Sequence, residues 1–264
     1  MTFAVAGGGR ISSSFVTRLP NLATELGPIA AQSYRLASRI ANTIGAGHPV
    51  RRYADLHASK LILICAPAKS VGDIVTALAQ ALDCRGKVIL YCEGGADSRQ
   101  LAAVRSKGAA VGSMDMLPGF EGRRFVAEGD PAAVREAKRL VGCFGGRVEE
   151  ISSARLGIYA AGLAFGSGLF TPLMEASVLC LQESGMQKAS AMKVVEALFQ
   201  NSLRAYMYAG KRSWSGVLAN GDRAAARREI EALAGSNPVL ARYYREAAIL
   251  ALQLFGKGAG SDSI

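Results

Sequence analysis

Through its first 151 residues the chain alternates short apolar runs with helix-length stretches, and from Ser152 onward the strand pattern stops. Strands are expected at Phe3–Ala6, Pro28–Ala31, Pro49–Arg52, Leu61–Ala66, Lys87–Tyr91, Ala109–Ser113, Phe125–Ala127 and Arg147–Ile151. Between them the spacing predicts helices at Ile11–Leu26, Ser33–Ile44, Val71–Leu82, Asp97–Lys107 and Pro131–Cys143. Strands and helices alternating in this way build βαβ units around a parallel sheet. The run Leu61-Ile-Leu-Ile-Cys-Ala66 has no polar position, as suits a strand covered by helices on both faces.

Beyond Ser152 only helical stretches follow, at Ser153–Ser184, Gln187–Ala209, Asp222–Ala234 and Pro238–Phe255. Asp130-Pro131 and Asn237-Pro238 read as N-caps followed by proline at the first helical position, and Pro172 should kink or break the first long helix. The fold class is therefore an α/β, Rossmann-like N-terminal domain with a parallel-rich sheet, followed by an all-α domain. The expected domains are 1–151 and 152–257, with a frayed tail over 258–264.

The opening strand ends in Gly7-Gly8-Gly9-Arg10-Ile11-Ser12, a G-x-G-x-x-G pattern with serine at its last position. Gly7 would make the tight turn out of the strand. Gly9 would let backbone approach a pyrophosphate seated on the next helix N-terminus, beside Gly8, Arg10 and Ile11. After the second strand, where NAD-selective sites place a carboxylate on the ribose, the chain reads Gln32-Ser33-Tyr34-Arg35, with Arg39 one turn on. A hydroxyl and a guanidinium suit a 2′-phosphate, so NADP is favoured over NAD. The alternative is that Arg35 and Arg39 form a solvated helix face. Ligands in such sheets lie beyond the carboxyl ends of the strands, so Ala66, Pro67 and Cys92 are expected to line the cofactor. Lys69 could reach a phosphate or be an ordinary surface lysine.

The formal charge of +10 is spread over both halves rather than gathered in a stripe. That argues against a nucleic-acid partner and fits an anionic small-molecule substrate, or solubility alone. The five cysteines show no metal-site spacing and suit reduced thiols of a cytoplasmic protein. The chain enters a strand at Thr2 with no leader pattern before it. Leu156–Met174 carries no charge and is about as long as a bilayer-spanning helix requires, but its Gly, Ala and Ser content favours a buried central helix of a soluble domain, with no membrane partner.

The two histidines, His48 and His57, are expected at the amino-end rim of the sheet, away from the ligand face, which disfavours a histidine base or a histidine metal site. The remaining candidates lie toward the interdomain cleft. Arg155 and Tyr159, one turn apart, could clamp a substrate carboxylate and donate a hydrogen bond, and Ser215 and Asp222 could add donors or acceptors. Asp115 follows the sixth strand, and Trp214 lies between two helices. Core packing for Tyr159, a turn for Asp115 and an anchoring role for Trp214 are the plainer alternatives.

Val5-Ala-Gly-Gly-Gly-Arg-Ile11, Cys92-Glu-Gly-Gly95, Gly112-Ser-Met-Asp-Met-Leu-Pro-Gly-Phe120, Leu156-Gly-Ile-Tyr-Ala-Ala161, Ser215-Gly216, Asn220-Gly-Asp222 and Pro238-Val-Leu-Ala-Arg-Tyr-Tyr244 carry a resemblance. The chain is similar to a bacterial family that joins a Rossmann-like domain to a C-terminal helical domain of unknown function. That family is distantly related to pyrroline-5-carboxylate reductase and 6-phosphogluconate dehydrogenase. The resemblance implies a 6-phosphogluconate dehydrogenase-like helical domain, NADP-type binding, a site between the domains, and a homodimer built on the C-terminal helices. The chain departs from its relatives where they carry S-L-H-P and it has Ser113-Met114-Asp115-Met116, and where they carry Tyr-His and it has Tyr159-Ala160. The expectation is an NADP-dependent oxidoreductase. A non-catalytic dinucleotide-binding protein that has lost the family's cleft histidines, or a structural dimer with a vestigial glycine loop, are the alternatives.

Overall fold

The computed structural model describes residues 2–7, 25–120 and 123–256. They divide into two compact units, Met1–Gly162 and Leu163–Ile264.

In the first unit the apolar runs become strands β1 (Phe3–Gly7), β2 (Leu26–Ala30), β3 (His48–Pro49), β4 (Leu61–Cys65), β5 (Val88–Tyr91), β6 (Ala110–Met116), β7 (Arg124–Gly129) and β8 (Arg147–Glu150). The helices between them are α1 (Tyr34–Ile44), α2 (Ala68–Ala81), the short α3 (Ala102–Arg105) and α4 (Pro131–Gly142). The sheet order is β3-β2-β1-β4-β5-β6-β7-β8. Strands β1 to β6 run parallel, β7 runs antiparallel to β6, and β8 is parallel to β7. Alternate residues of each strand feed opposite layers of core. Phe3, Val5, Leu61 and Leu63 pack with Ile40 of α1 and Leu140 of α4. Ala4, Ala6, Ile62 and Ile64 pack with Ile74 and Leu78 of α2. Both faces are covered, which is why β4 tolerates no polar residue.

Four departures from the sequence reading have local causes. Leu26, expected at the end of a helix, opens β2 and pairs with Phe3; residues 11–24 of that expected helix lie outside the described set. Strand β3 stops at Pro49, because Asp55 accepts the Arg52 amide at 3.0 Å and its guanidinium at 3.2 Å, starting a 3-10 turn at Tyr53–Leu56. The expected helix Asp97–Lys107 begins instead as a 3-10 turn, Ser98–Leu101, where the Ser98 amide is drawn to Glu128 at 2.7 Å. Asp130 takes the N-cap position before Pro131 as expected, but its side chain does not cap α4; its carboxylate accepts the Val111 amide at 2.8 Å and pairs with Arg105 at 2.9 Å.

After β8 a 3-10 turn, Ser153–Arg155, leads into α5 (Leu156–Gly166). The helix breaks at Ser167–Leu169 and resumes as α6 (Phe170–Glu183). The break lies one turn before Pro172, whose ring leaves no room for the carbonyl four residues back. Helices α7 (Lys188–Ala209), α8 (Arg223–Ser236) and α9 (Pro238–Phe255) complete the second unit. Asn237 caps α9, its side chain accepting the Leu240 amide at 3.2 Å. Val178, Ala191 and Val195 form a small buried cluster here, while Leu203 (63%) and Met207 (75%) of α7 are exposed.

One expectation is overturned. The apolar stretch after Arg155 is not a buried central helix: α5 has no buried residue, and Ile158 is 70% exposed. By length and composition Ser153–Glu183 could cross a membrane, and 6% of its most apolar window is buried. Apolar composition alone did not bury it, because burial needs a facing apolar surface and not only an apolar helix.

Candidate functional site

In a parallel sheet every strand delivers its following loop to one rim. Here that rim collects Gly7 after β1, Ala31 to Ser33 after β2, Ala66-Pro67 after β4, Cys92 to Gly95 after β5, and Asp115 at the end of β6. Connections leave β1 toward β2 on one side and reach β4 on the other, so the topological switch point lies between β1 and β4. That is where open α/β sheets take ligands. Gly7 closes β1 opposite Cys65. Gly8, Gly9, Arg10 and Ile11 lie outside the described residues.

At the β2 end, Ser33 caps α1, its hydroxyl accepting the Leu36 amide at 3.2 Å. The hydroxyl proton is left free to donate outward. Tyr34 and Arg35 open the helix and are exposed. Arg51, which the sequence reading did not single out, places its guanidinium over the Tyr34 ring at 4.8 Å, a cation–π contact that holds a positive charge at the first residue of α1. The whole of α1 separates Arg51 from Tyr34 along the chain, which hides the pairing from any local pattern. The short strand β3 beside β2 brings the two together.

Two expected lining residues present no side chain. Ala66 is buried and its carbonyl accepts the Tyr91 hydroxyl at 3.1 Å. Cys92 is wholly buried, and burial pushes its thiol well up, with Cys65 beside it adding to the shift. The chain exposes Gly94 and Gly95 on this loop instead, with Pro67 and Glu93 half-buried. Glu93 is held by the Tyr91 hydroxyl at 2.5 Å. His48 is exposed on edge strand β3, and His57 precedes β4 at the opposite rim, its carbonyl accepting Lys87 Nζ at 2.6 Å.

Under the rim lies a carboxylate that the sequence reading missed. Glu128 of β7 is 1% exposed. It accepts the Ser98 amide at 2.7 Å, the Ser98 hydroxyl at 2.8 Å, the Ser113 hydroxyl at 2.7 Å, and the Ser153 hydroxyl. No local sequence signal marks it, because its donors come from three other elements. Glu128→Leu would leave these buried donors without their acceptor and is expected to cost about 3 kcal/mol. Urea unfolding followed by circular dichroism measures this, and a loss below about 1 kcal/mol would show the network to be dispensable.

Arg155 is exposed, whereas the hydroxyl of Tyr159 on α5 is buried without a hydrogen-bond partner. The two therefore do not turn their polar ends to one space, as their spacing suggests. Tyr159, Asp115, Ser113, Glu128 and Gly95 line a small cavity with about 10 Å³ of room for a water centre. Burial raises the Asp115 carboxyl above its ordinary value, nearby Glu93 adds to this, and the amides of Met116 and Gly95 oppose it. Burial, then the Asp115 charge, raise Tyr159.

The other two candidates belong to the second unit. Asp222 accepts the Ala225 amide at 2.9 Å as the cap of α8, a structural task that occupies one oxygen. Ser215 lines an open pocket with Asn201, Ser202, Tyr206 and Trp214, and Trp214 stacks on Phe255 with ring centres 5.4 Å apart. Among the described residues no group of acids, histidines and cysteines could hold a metal ion.

Sheet order, switch point and the helices that follow define a Rossmann-type fold with a helical C-terminal region. Residues 124–250 match the family model described as a domain of unknown function, DUF2520. No curated protein sequence matches the chain. Among solved structures, a candidate NADP oxidoreductase from Bacteroides fragilis superposes with TM-score 0.75 at 11% identity, covering 96% of this chain and 97% of that one. A variant imine reductase from Myxococcus stipitatus in complex with NAD+ gives 0.67 at 15% identity, covering 98% and 97%; the enzyme from the same organism is also known in complex with NADP+. A pyrroline-5-carboxylate reductase from Coxiella burnetii gives 0.58 at 14% identity, covering 97% and 99%. The resemblance read from the motifs thus holds in the fold and in the C-terminal part, and the low identities mark a divergent chain.

Proposed function

We propose that the chain is an NADP-dependent oxidoreductase acting on a small substrate, working as a cytoplasmic homodimer. The observation that carries this reading is the rim at the switch point. Gly7 ends the central strand there, and the end of β2 offers Ser33, Tyr34 and Arg35 without any carboxylate. Gly8, Gly9, Arg10 and Ile11 are the proposed holders of the pyrophosphate. Ser33, Arg35 and Arg51 are the proposed readers of the 2′-phosphate, whose planar pairing with guanidinium is charge-assisted. Pro67 and the backbone beside Ala66 and Cys92 would border the nicotinamide half. The bound dinucleotide would supply hydride chemistry, and the protein supplies orientation and electrostatics. Arg155 remains the proposed substrate-side residue of the first unit, with Tyr159 behind the rim, and Ser215 and Asp222 are kept as proposed substrate-side residues of the second. The net charge of +10 supports an anionic substrate. The neighbours' complexes with NAD+ and NADP+ support the cofactor class.

Calorimetric titration tests this. NADPH is expected to bind more tightly than NADH by roughly tenfold or more, the worth of one charge-assisted contact. Arg35→Ser should remove most of that difference while leaving NADH binding in place. Absence of binding by either dinucleotide at millimolar concentration would end the proposal. A non-catalytic dinucleotide-binding protein is the second reading. It is favoured by the enclosure of Tyr159 Oη and the capping duty of Asp222, and it expects binding without turnover.

A further inference from the structure

At the carboxyl end of β6, Asp115 is half-buried at the rim, beside the exposed Gly94 and Gly95. Behind it, Tyr159 Oη is enclosed and unsatisfied, and both residues line the same cavity. A buried phenol hydroxyl without a partner costs about 1–3 kcal/mol, and such a group calls for an acceptor or a water. The cavity has about 10 Å³ for a water centre, the lower bound for one molecule, and offers it several polar partners.

We propose that Asp115 is the acid of this site and that Tyr159 is its positioning residue, the two joined through one buried water. This rests on the oxidoreductase reading above. As the carbon of a C=N or C=O substrate accepts hydride from a reduced nicotinamide dinucleotide, the Asp115 O–H bond breaks and a new N–H or O–H bond forms on the substrate. Asp115 is left as a carboxylate, which the water held by Tyr159 and the amides of Gly95 and Met116 stabilise. Solvent returns the proton. The groups facing Asp115 are Cys92 and Glu93 after β5, Glu128 of β7 and Tyr159 of α5; among the described residues no lysine or arginine lines the cavity. The surroundings therefore favour the protonated acid, as a proton donor working near neutrality needs.

The test uses the full-length protein labelled with carboxyl-13C aspartate, the Asp115 signal being assigned by its absence in Asp115→Asn. The Asp115 midpoint should lie above the ordinary aspartate value. It should rise further in Tyr159→Phe, because a donor to the charged form has been removed. Reciprocally, Asp115→Asn should lower the Tyr159 midpoint in an ultraviolet titration. Because the folded-state value is raised, Asp115 favours folding below the unfolded-state value, and this is lost as pH rises through the folded-state value. Asp115→Asn should therefore melt higher than wild type at pH 7, with the difference shrinking on acidification toward pH 4. With NADPH and a panel of imines and carbonyls, Asp115→Asn should keep its NADPH affinity and lose roughly a hundredfold or more in turnover. Tyr159→Phe should move the pH profile of kcat with a smaller loss. An ordinary Asp115 midpoint indifferent to Tyr159→Phe, or full turnover by Asp115→Asn, overturns the proposal. Failure of NADPH to bind overturns the oxidoreductase reading itself, and the aspartate titration then still decides whether the pair exists.

Discussion

A Gly129→Ala variant is expected to accumulate as unfolded or aggregated chain, losing more than about 4 kcal/mol of stability. Gly129 ends β7 with φ of +126°, a conformation that side chains resist. A Cβ there would stand 2.5 Å from the Gly112 Cα and 2.5 Å from the Val111 carbonyl oxygen, both backbone atoms of β6 that cannot step aside. The register explains the crowding: Gly112 and Gly129 face each other where the antiparallel pair meets. Gly112 is itself hemmed in, with Glu128 O 2.8 Å and Ala133 Cβ 3.0 Å from where its own Cβ would be. Gly119 is the control. Its φ is also positive, at +83°, but nothing lies within 4 Å of its Cβ position, so Gly119→Ala should cost only about 1–2 kcal/mol. Urea melts of the two variants check the contrast. A Gly129→Ala protein within about 1 kcal/mol of wild type would show that β6 and β7 can part without loss, contrary to this packing.

That glycine pair marks a limit of what a sequence displays. Strand positions are legible because apolar runs such as Leu61–Cys65 carry their own signal, and each of the eight expected strands has a counterpart. The antiparallel turn at β7 is not, because strand direction is set by the connection from Met116 to Arg124 and by the backbone contact of two glycines. Helix bounds fail where a distant side chain takes over a local amide. Glu128 does this to Ser98, and it lies thirty residues away.

The site divides in the same way. The glycine turn and the missing carboxylate after β2 are local patterns, readable without a structure. Arg51, Glu128 and the Asp115–Tyr159 cavity are products of strand neighbourhood, which no spacing rule conveys. Cys92 follows β5 and by position alone belongs at the rim, but side chains alternate across a strand. Its thiol turns into the core beside Cys65, and the next residues, Glu93 to Gly95, reach the rim.

The double variant Leu203→Glu, Met207→Glu is expected to turn a dimer into monomers. These residues lie one turn apart on α7 and are 63% and 75% exposed. Leu198 on the same helix and Ile158 and Phe165 on α5 are also more than half exposed. Monomeric soluble proteins rarely leave so much large apolar surface in water. A second copy is the cover that meets this need for every chain at once, since a self-complementary apolar face closes on itself under two-fold symmetry. Light scattering of the wild type should give twice 27.6 kDa, and its melting temperature should rise with protein concentration, as mass action requires of a folded dimer. The double variant should give 27.6 kDa and lose the concentration dependence. The pair Arg223→Glu, Arg228→Glu on α8 serves as the comparison, since it changes charge without touching an exposed apolar residue. A wild-type protein that is monomeric at micromolar concentration would remove the homodimer. If that monomer also partitions into lipid vesicles, the apolar stretch Ser153–Glu183 has a bilayer for its cover instead of a twin.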